Sequence, residues 1–318
     1  MYILNKKIVA LPHKKALRGS LSDNFAKYRS LYLIALPGML FYLLFKYIPL
    51  FGLAIAFQDY NIYKGLFGSP YVGMKHFMVF LQYPEFARVF SNSLIISFYD
   101  LVIAFPIPII LALLLNEMRN YRFKRVIQTV VYMPHFLSWV IVGGIFIGIL
   151  SPGTGVVNQI IKSLGHEPVY FMISEKYIRP ILIGSGIWKD AGWGTIIFLA
   201  AIISIDPSQY EAAIIDGATR VKRIWHITMP GIMNTLVVML LLKIGYFLDF
   251  GFERVYIFMN SFNKNACDIF DTYIYAAGLQ GTQYSYTTAI GMFKSVVGLL
   301  LLLIANTTSK KLTDKSIF

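Results

Sequence analysis

The sequence is poor in charged residues for its length. Only 14% of its 318 residues are Asp, Glu, Lys or Arg, whereas a soluble globular domain carries about 25%. Hydrophobic residues make up 57% of the chain, and its mean hydropathy is +0.61. These values exclude a disordered chain and an ordinary soluble enzyme, and they indicate a polytopic membrane protein.

Cysteine and the usual catalytic motifs are also scarce. The single cysteine, Cys267, excludes an internal disulfide bond and a cysteine-based zinc site. The five histidines show no metal-ligand spacing, and a serine nucleophile elbow and a catalytic carboxylate pair are both missing. A phosphate-binding G-x-x-x-x-G-K-[ST] loop is not found either, because Met74 follows the nearest glycine pair, Gly68 and Gly73. We therefore expect no enzymatic activity, no metal and no cofactor in this chain.

Long apolar runs are the dominant feature that the sequence does contain. A transmembrane helix needs about 20 mainly apolar residues, and six windows meet this requirement. They cover residues 31–57, 89–115, 126–150, 180–204, 231–250 (or as far as 258) and 285–306. The first window is too long for a signal peptide and is followed by no small-residue cleavage site, so we expect it to remain as an anchor.

Basic residues outnumber acidic ones, 29 to 16, and their distribution along the chain is uneven. Seventeen of them fall in four segments on one side of the six spans, namely residues 1–30, 116–125, 205–230 and 307–318. Eight fall in the longer connections on the other side: Lys64, Lys75, Arg88, Lys162, Lys176, Arg179, Arg254 and Lys264. Cytoplasmic loops are enriched in Lys and Arg, so both termini are predicted to be cytoplasmic.

The predicted fold class is therefore an all-α polytopic membrane protein with six transmembrane helices. Its expected segments are a basic cytoplasmic segment (1–30), a first span (31–57), an external loop (58–88), a core of spans two to six (89–306) and a cytoplasmic tail (307–318).

The connection between the fourth and fifth spans is too long for a simple turn and carries helix signals. Asp206 is a suitable N-cap, and Pro207 suits the first helical position. Gly217 is expected to break or bend this helix. A second, amphipathic helix is expected over residues 220–227, and Pro230 is expected to end it and to begin the fifth span.

Such a helix–glycine–helix element fits two interpretations. It offers an apolar ridge with Val221 and Trp225, a carboxylate at Glu211 and a basic flank, which together suit docking to a cytoplasmic partner. The alternative is an amphipathic segment that lies on the membrane surface.

This connection resembles the coupling loop of ABC importer permeases. Their pattern is Glu-Ala-Ala, three residues, Gly, nine residues, Ile, one residue and Leu-Pro. Here Glu211-Ala212-Ala213 is followed at the same spacings by Gly217, Ile227 and Met229-Pro230. The one departure, methionine for leucine, conserves volume.

Shorter matches extend the resemblance over most of residues 30–318. Segments 45–49, 56–60 and 155–158 are similar to carbohydrate-importing permeases of the maltose type. Segments 271–273 and 284–295 are similar to the subgroup that imports oligosaccharides delivered by a lipoprotein in Gram-positive bacteria.

The resemblance implies a type I ABC importer permease fold in a bacterial plasma membrane. It implies half of a pore, completed by a second permease, with two ATPase subunits that bind ATP and Mg and an extracellular solute-binding lipoprotein. Oligosaccharides are the implied substrates, and plant or algal polysaccharide fragments and acidic sugars both stay open.

The coupling residues implied by the resemblance begin with Glu211, which would face the ATPase, and with Ala212 and Ala213, which would allow close approach. Gly217 would make the turn between the two short helices. The remaining members of the implied coupling set are Asp216, Arg220 and Pro230.

The substrate path is predicted from polar and aromatic residues inside the spans, where each charge is costly. The charged candidates are Lys46, Asp100, Lys189, Asp190, Lys243, Asp249 and Lys294. Sugars are held by aromatic faces and polar groups, which favours Trp188, Trp193, Tyr246 and Asp249 as lining residues. The alternative for the aromatic residues is an interfacial belt.

Three other functions compete with the importer. A secondary, ion-coupled carrier of small polar solutes would show internal repeats and a buried acidic relay, neither of which is apparent. A membrane-embedded enzyme would need a polar catalytic cluster near one interface. A nucleic-acid binder would concentrate its cations in one patch rather than spread them over four segments.

Overall fold

The computed structural model describes residues 21–313, and the side chains of residues 28–311. Most of the basic segment predicted over residues 1–30, and the end of the tail predicted over 307–318, lie outside the described residues. The chain divides after Leu53 into two units, which are considered separately.

The described chain is mostly helical. Its α-helices are α1 (Leu21–Tyr42), α2 (Gly65–Gly68), α3 (Lys75–Gln82), α4 (Pro84–Tyr99), α5 (Pro106–Glu117), α6 (Tyr121–Tyr132), α7 (Trp139–Leu150), α8 (Val156–Ser163), α9 (Glu175–Ile203), α10 (Pro207–Ile215), α11 (Arg220–Arg223), α12 (Met229–Gly245), α13 (Phe252–Tyr256), α14 (Lys264–Cys267), α15 (Phe270–Ile274) and α16 (Tyr284–Thr313).

Several of these helices continue into π-helical or 3₁₀ turns. The π-helical segments are Leu43–Tyr47, Asp100–Ala104, Ile224–Thr228 and Tyr275–Gln280, and the 3₁₀ segments are Ile48–Phe57, Met133–Phe136 and Phe171–Ile173. Between residues 21 and 313, the β-structure consists of one isolated antiparallel bridge, from Gln58 to Tyr71.

Five helices of the described chain are long and apolar enough to cross a membrane. They are Tyr28–Phe57, Pro84–Glu117, Glu175–Ile203, Arg220–Gly245 and Tyr284–Lys311. Each overlaps a predicted span. The first begins in the first unit, and the other four belong to the second unit.

The third predicted span, residues 126–150, is not one straight helix. Helical residues Tyr121–Phe136 and Trp139–Leu150 meet at an angle of 106°, so this pair makes a sixth span only if it is counted as one broken span. Pro134 lies in the turn before the break, and the Ser138 side chain accepts a hydrogen bond from the amide of Ile141 to begin α7. Proline and a new N-cap explain why the helix stops and restarts here.

The helix of the fifth predicted span begins before residue 231, and Pro230 does not end the helix before it. Helical structure runs without interruption through Arg220–Gly245. Pro230 lies in the first turn of α12, directly after the π-helical segment Ile224–Thr228. The amide of Met229 bonds to the Ile224 carbonyl, five residues back, so a widened turn absorbs the proline without a break.

The long helix α9 is the centre of the second unit. It packs against α5, α6 and α12, and one side of its N-terminal half joins a cluster of buried residues with α4 and the 255–269 region. Gly192 brings α9 against the backbone of α6: a Cβ atom at this position would lie 2.1 Å from the Val131 carbonyl oxygen. Small residues at a membrane helix interface permit this close approach.

Polar side chains join α4 and α9 to the 264–268 region. The Arg179 guanidinium on α9 donates to the Asn92 side chain (2.9 Å) and to the Ala266 carbonyl (3.0 Å). The Asn92 amide in turn donates to the carbonyls of Asn265 (2.8 Å) and Asp268 (3.1 Å). These bonds fix the connection between the fifth and sixth spans against the helices.

Replacing Gly192 by alanine tests this packing. We expect Gly192→Ala to destabilise the protein by about 1–3 kcal/mol, because the added methyl group overlaps backbone atoms. Gly184→Ala on the same helix is the matched control, since a Cβ there meets nothing within 4 Å. Thermal unfolding of the two purified variants in detergent compares them. Equal melting temperatures would contradict the close approach of α9 and α6.

Candidate functional site

The first candidate site is the pair of short helices α10 and α11 between the fourth and fifth spans. Asp206 caps α10: its carboxylate accepts a hydrogen bond from the Ser208 amide at 2.9 Å, and Pro207 occupies the first turn. The same hydrogen bond holds the pKa of the Asp206 carboxyl below its usual range. The helix start predicted from these residues is confirmed.

The turn after α10 depends on Gly217. This residue has φ +74°, and two backbone bonds close the turn, from the Gly217 amide to the Ile214 carbonyl (3.0 Å) and from the Ala218 amide to the Ala213 carbonyl (2.8 Å). The pattern is a Schellman motif with glycine in the left-handed position. Thr219 then caps α11 by accepting from the Lys222 amide. The predicted bend at Gly217 is thus confirmed.

The helix–turn–helix presents apolar side chains that no part of the described second unit covers. Ile215 is 86% exposed and Trp225 is 64% exposed, and Ile214 and Val221 are exposed as well. In the predicted coupling set Ala213 is half-buried, and the remaining members are exposed: Glu211, Ala212, Asp216, Gly217, Arg220 and Pro230. An apolar ridge of this kind in a helical segment marks an interaction surface.

The element is also held to the membrane helices behind it. The Tyr210 hydroxyl on α10 lies 2.9 Å from the Thr228 hydroxyl in the fifth span. Beside it, residues 116–119 and the end of α9 form a groove of about 520 Å³, which Glu211, Arg220 and Arg223 also line. Helix α10 is therefore in direct contact with the fifth span through this pair of hydroxyls.

The second candidate site is a group of charges inside the helical bundle. Asp100 begins the π-helical turn of the second span, and its carboxylate pairs with Arg254 at 3.0 Å and with the Lys243 ammonium group. The side chains of Asp100 and Arg254 are only 6% and 7% exposed, whereas Lys243 is partly exposed. A buried charge without a partner is strongly unfavourable, so these groups depend on each other.

Arg254 is tied to α9 as well as to Asp100. Its Nε and Nη2 atoms donate to the Leu182 carbonyl at 3.0 and 2.7 Å. Gly186 makes room for the guanidinium, because a Cβ there would lie 2.1 Å from Nη2. The face of the Phe250 ring lies 4.0 Å from the guanidinium carbon. Arg254 is thus a buried residue of the bundle. Its sequence position had predicted that it lies in a connection on the external side.

The charged group opens into two adjoining cavities. The larger, of about 160 Å³, is lined by Asp100, Lys243 and Arg254 together with Asp190 and residues of α5 and α9. The smaller, of about 30 Å³, is lined by Asp100, Lys243, Tyr246 and Asp249. Two of the four predicted path residues, Tyr246 and Asp249, therefore lie next to the charged group.

The two tryptophans lie elsewhere on α9. Trp193 stacks on the His135 ring at 4.6 Å, and Trp188 packs edge-on against Phe146 at 5.8 Å. Both are partly exposed and line neither of the two cavities. The structure thus does not bring the four predicted path residues to one place.

The neighbouring charges of α9, Lys189 and Asp190, contact different partners. The Lys189 ammonium donates to the carbonyls of His135 (2.6 Å) and Leu137 (2.8 Å), at the break between α6 and α7. Asp190 instead contacts the His135 ring at 2.9 Å. Lys189 therefore satisfies backbone carbonyls that the broken helix frees, a role that neighbouring groups play inside membranes.

A third ionic contact lies near the start of the sixth span. The Lys294 ammonium pairs with Asp271 and lies 3.1 Å from Asp249. Sequence reasoning selected Lys294 and Asp249 but missed Asp271 and Arg254. The one feature of the sequence that could have identified Asp271 and Arg254 is that each is a charged residue within the mainly apolar region 246–278.

The structure adds two observations about metal and thiol chemistry. Among the described residues, no group of three or more His, Cys, Asp or Glu side chains is placed to hold a metal ion. Cys267 is fully buried, and burial raises the pKa of its thiol to about 12. A thiol with this pKa is unreactive towards alkylating reagents at neutral pH.

Removing Asp100 tests the ionic group. We expect Asp100→Ala to lower the free energy of unfolding by about 3–5 kcal/mol, because it leaves Arg254 buried without its carboxylate. Asp249→Ala is the control, since this carboxylate is largely exposed and should cost about 1 kcal/mol or less. Thermal unfolding in detergent compares the two.

The double variant Asp100→Ala with Arg254→Met tests whether the loss of stability comes from the unpaired Arg254 charge. It removes the orphaned charge, so it should recover part of the stability lost in Asp100→Ala. A double variant that is less stable than Asp100→Ala would show that the two side chains do not form a coupled pair.

Comparison with known proteins places this arrangement in a family. The family model described as "Binding-protein-dependent transport system inner membrane component" matches residues 104–314. Protein LplB of Bacillus subtilis (strain 168) is 49% identical over 288 residues, which cover 91% of each chain. The polygalacturonan/rhamnogalacturonan transport system permease protein YteP of the same organism is 46% identical over 309 residues, or 97% of this chain and 96% of YteP.

Two crystal structures are similar over nearly the whole chain. A bacterial ABC transporter involved in the import of the acidic polysaccharide alginate matches with a TM-score of 0.86 and 40% identity, over 93% of this chain and all of that chain. A bacterial alginate ABC transporter in complex with an alginate pentasaccharide-bound periplasmic protein matches with a TM-score of 0.87 and 39% identity, over 94% and 100%. The chain therefore belongs to the family of binding-protein-dependent transport system inner membrane components.

Proposed function

We propose that this chain is one half of the membrane pore of an ATP-driven oligosaccharide importer. A second, homologous permease completes the pore, two ABC ATPase subunits bind ATP and Mg on the cytoplasmic side, and an extracellular binding lipoprotein delivers the substrate. As a member of its family, the chain is the membrane component of the transporter rather than a catalytic subunit. The proposed location is the plasma membrane of a Gram-positive bacterium, with both termini in the cytoplasm.

The observation that carries this proposal is the exposed helix–turn–helix of α10 and α11. Its capped start, its glycine turn and its uncovered apolar ridge give a small, stiff element outside the membrane helices. Its residues 211–230 also carry the Glu-Ala-Ala pattern. A rigid element with direct contacts to the fifth span suits the transfer of a rigid-body movement from an ATPase to the pore.

In the proposed coupling role, each residue of the loop makes a different contribution to the contact with the ATPase. Glu211 presents its carboxylate to the ATPase surface, Ala212 and Ala213 permit close approach, and Gly217 sets the angle between the two helices. Arg220, Lys222 and Arg223 surround the contact with positive charge. Closure of the ATPase dimer would then move α10 and α11 and switch the pore from inward-facing to outward-facing.

The proposed substrates are oligosaccharide fragments of plant or algal polysaccharides, including acidic ones. Support comes from the relatives: YteP is named for polygalacturonan and rhamnogalacturonan, and the two solved transporters are described as acting on alginate. Lys243 supports it too, because its ammonium group is partly exposed beside both cavities of the charged group. We propose Tyr246 and Asp249 as path residues at this position, and Trp188 and Trp193 as contacts at other levels of α9.

A charge reversal at Glu211 tests the coupling role. We expect Glu211→Lys to insert and to assemble normally but to lose substrate-stimulated ATP hydrolysis and uptake, because the carboxylate at the docking face becomes a cation. Glu167→Lys is the matched control, since Glu167 is an exposed glutamate in the connection between α8 and α9. ATP hydrolysis and oligosaccharide uptake are measured with both variants in reconstituted complexes.

The outcome also separates the importer from the ion-coupled carrier. A carrier would transport without an ATPase and would tolerate Glu211→Lys as well as Glu167→Lys. Unchanged uptake in Glu211→Lys would therefore contradict the coupling role of this loop.

A further inference from the structure

A further cavity lies apart from the charged group of the bundle. It has a volume of about 600 Å³, which is within the range of about 300–1,000 Å³ typical of small-molecule sites. One wall is residues 59–61 with α3 and Tyr83, and the other is Tyr273 with residues 282–286. Asp100, Lys243 and Arg254 do not line it, so it is separate from the two small cavities described above.

Tyrosine is the main constituent of this cavity. Five tyrosines line it: Tyr60, Tyr83, Tyr273, Tyr284 and Tyr286. A tyrosine offers an apolar ring face and a hydroxyl that donates and accepts hydrogen bonds. Asn61, Gln283 and Thr282 add further donors and acceptors. A saccharide has the complementary chemistry, with C–H groups on the faces of its rings and hydroxyls around their edges.

The charges of the cavity are already paired with each other. The Asp59 carboxylate accepts a hydrogen bond from Lys75 at 2.8 Å and lies 3.1 Å from His76. The hydrogen bond from Lys75 lowers the pKa of the Asp59 carboxyl, so this group stays ionised and keeps the cation occupied. Recognition here would therefore rest on ring stacking and hydroxyl contacts rather than on net charge.

The two walls are joined by specific contacts, so the cavity is preformed. The Tyr60 amide donates to the Ser285 hydroxyl at 2.9 Å, and the rings of Tyr60 and Tyr284 meet edge to face at 6.3 Å. Within the second wall, the hydroxyls of Tyr273 and Tyr286 lie 3.2 Å apart. A preformed site loses less conformational freedom when it binds a ligand.

The rim of the cavity carries a strained residue. Thr282 has φ +56°, and among the described residues it is the one non-glycine residue with positive φ. A β-branched residue in this region is energetically costly, and such strain is retained mainly where a site requires it. Thr282 itself lines the cavity, directly before the start of α16.

We propose that this tyrosine cavity is an entry subsite for saccharides, which a sugar occupies before it reaches the path through the membrane. The inference rests on the proposed function, because it requires that the 58–88 loop is external. The subsite would hold one end of an oligosaccharide released by the binding protein. It would accept neutral and acidic sugar units alike, since its own charges are compensated.

Direct binding to the purified complex tests the subsite. The probe is pentagalacturonate, and its affinity for the permease–ATPase complex is measured by calorimetry in the absence of binding protein. We expect Tyr83→Ala to weaken binding about tenfold, because it removes one ring face from the cavity. Tyr83→Phe, which keeps the ring, should stay close to wild type. Tyr63→Ala is the matched control, because Tyr63 is 96% exposed in the same loop and does not line the cavity.

The salt dependence of binding and a second cavity variant give two further checks of the subsite. Binding at the subsite should change less than threefold between low and high salt, since it depends little on charge. If Tyr83→Ala does not assemble, Gln283→Ala replaces it, because this exposed side chain also lines the cavity. The subsite proposal would be wrong if Tyr83→Ala bound pentagalacturonate as tightly as Tyr63→Ala does. The same holds for Gln283→Ala where it replaces Tyr83→Ala.

Two further outcomes have separate meanings. If Tyr83→Ala weakens attachment of ligand-free binding protein as strongly as it weakens pentagalacturonate binding, the cavity is a protein-docking surface and the subsite proposal is wrong. If the wild-type complex shows no oligosaccharide-stimulated ATP hydrolysis with its binding protein, the proposed function itself fails. A subsite failure with intact stimulation leaves the proposed function standing.

Discussion

The structure depends on one constraint, which is that a lipid bilayer offers no hydrogen-bond partner to a polar group. Each carbonyl freed by a broken helix and each charge inside the bundle must find its partner within the protein. Lys189 meets this requirement at the break after α6, where its ammonium binds the carbonyls of His135 and Leu137. Arg254 meets it by binding both Asp100 and the Leu182 carbonyl. These contacts give partners to polar groups that the bilayer would leave unsatisfied.

The same constraint explains why the polar groups of the bundle are buried and paired, whereas those of α10 and α11 are exposed. Inside the bundle, Asp100 and Arg254 are buried and paired, so they hold one arrangement of α4, α9 and the region after the fifth span. Outside it, α10 and α11 expose an apolar ridge and several charges that stay available to a partner. The polar groups of the bundle are therefore satisfied within the protein, whereas the short helices keep an exposed surface. The contact between Tyr210 and Thr228 joins the two.

Much of this organisation could be predicted from the sequence because it is encoded locally. Apolar length located the spans, Asp206 and Pro207 located the start of α10, and Gly217 located its turn. What the sequence did not reveal depends on contacts between distant residues. Asp100 and Arg254 lie 154 positions apart. A hydropathy pattern does not predict that Arg254 is buried in the bundle beside Asp100. The 106° break in the third span was missed because apolar length reports hydrophobicity and not direction. Likewise, hydropathy gives no sign of the π-helical turn at Ile224–Thr228 that precedes Pro230.

The central claim is that α10 and α11 form the cytoplasmic contact with an ATPase, and cysteine accessibility tests it most directly. Ala212→Cys places a thiol on the exposed face of α10, and the native Cys267 stays silent because it is buried. A membrane-impermeant maleimide should label Ala212→Cys only when it reaches the cytoplasmic side, and bound ATPase subunits should protect the thiol. Tyr63→Cys in the 58–88 loop should be labelled from outside whole cells. Labelling of Ala212→Cys from the outside, or equal labelling with and without the ATPase, would contradict the account.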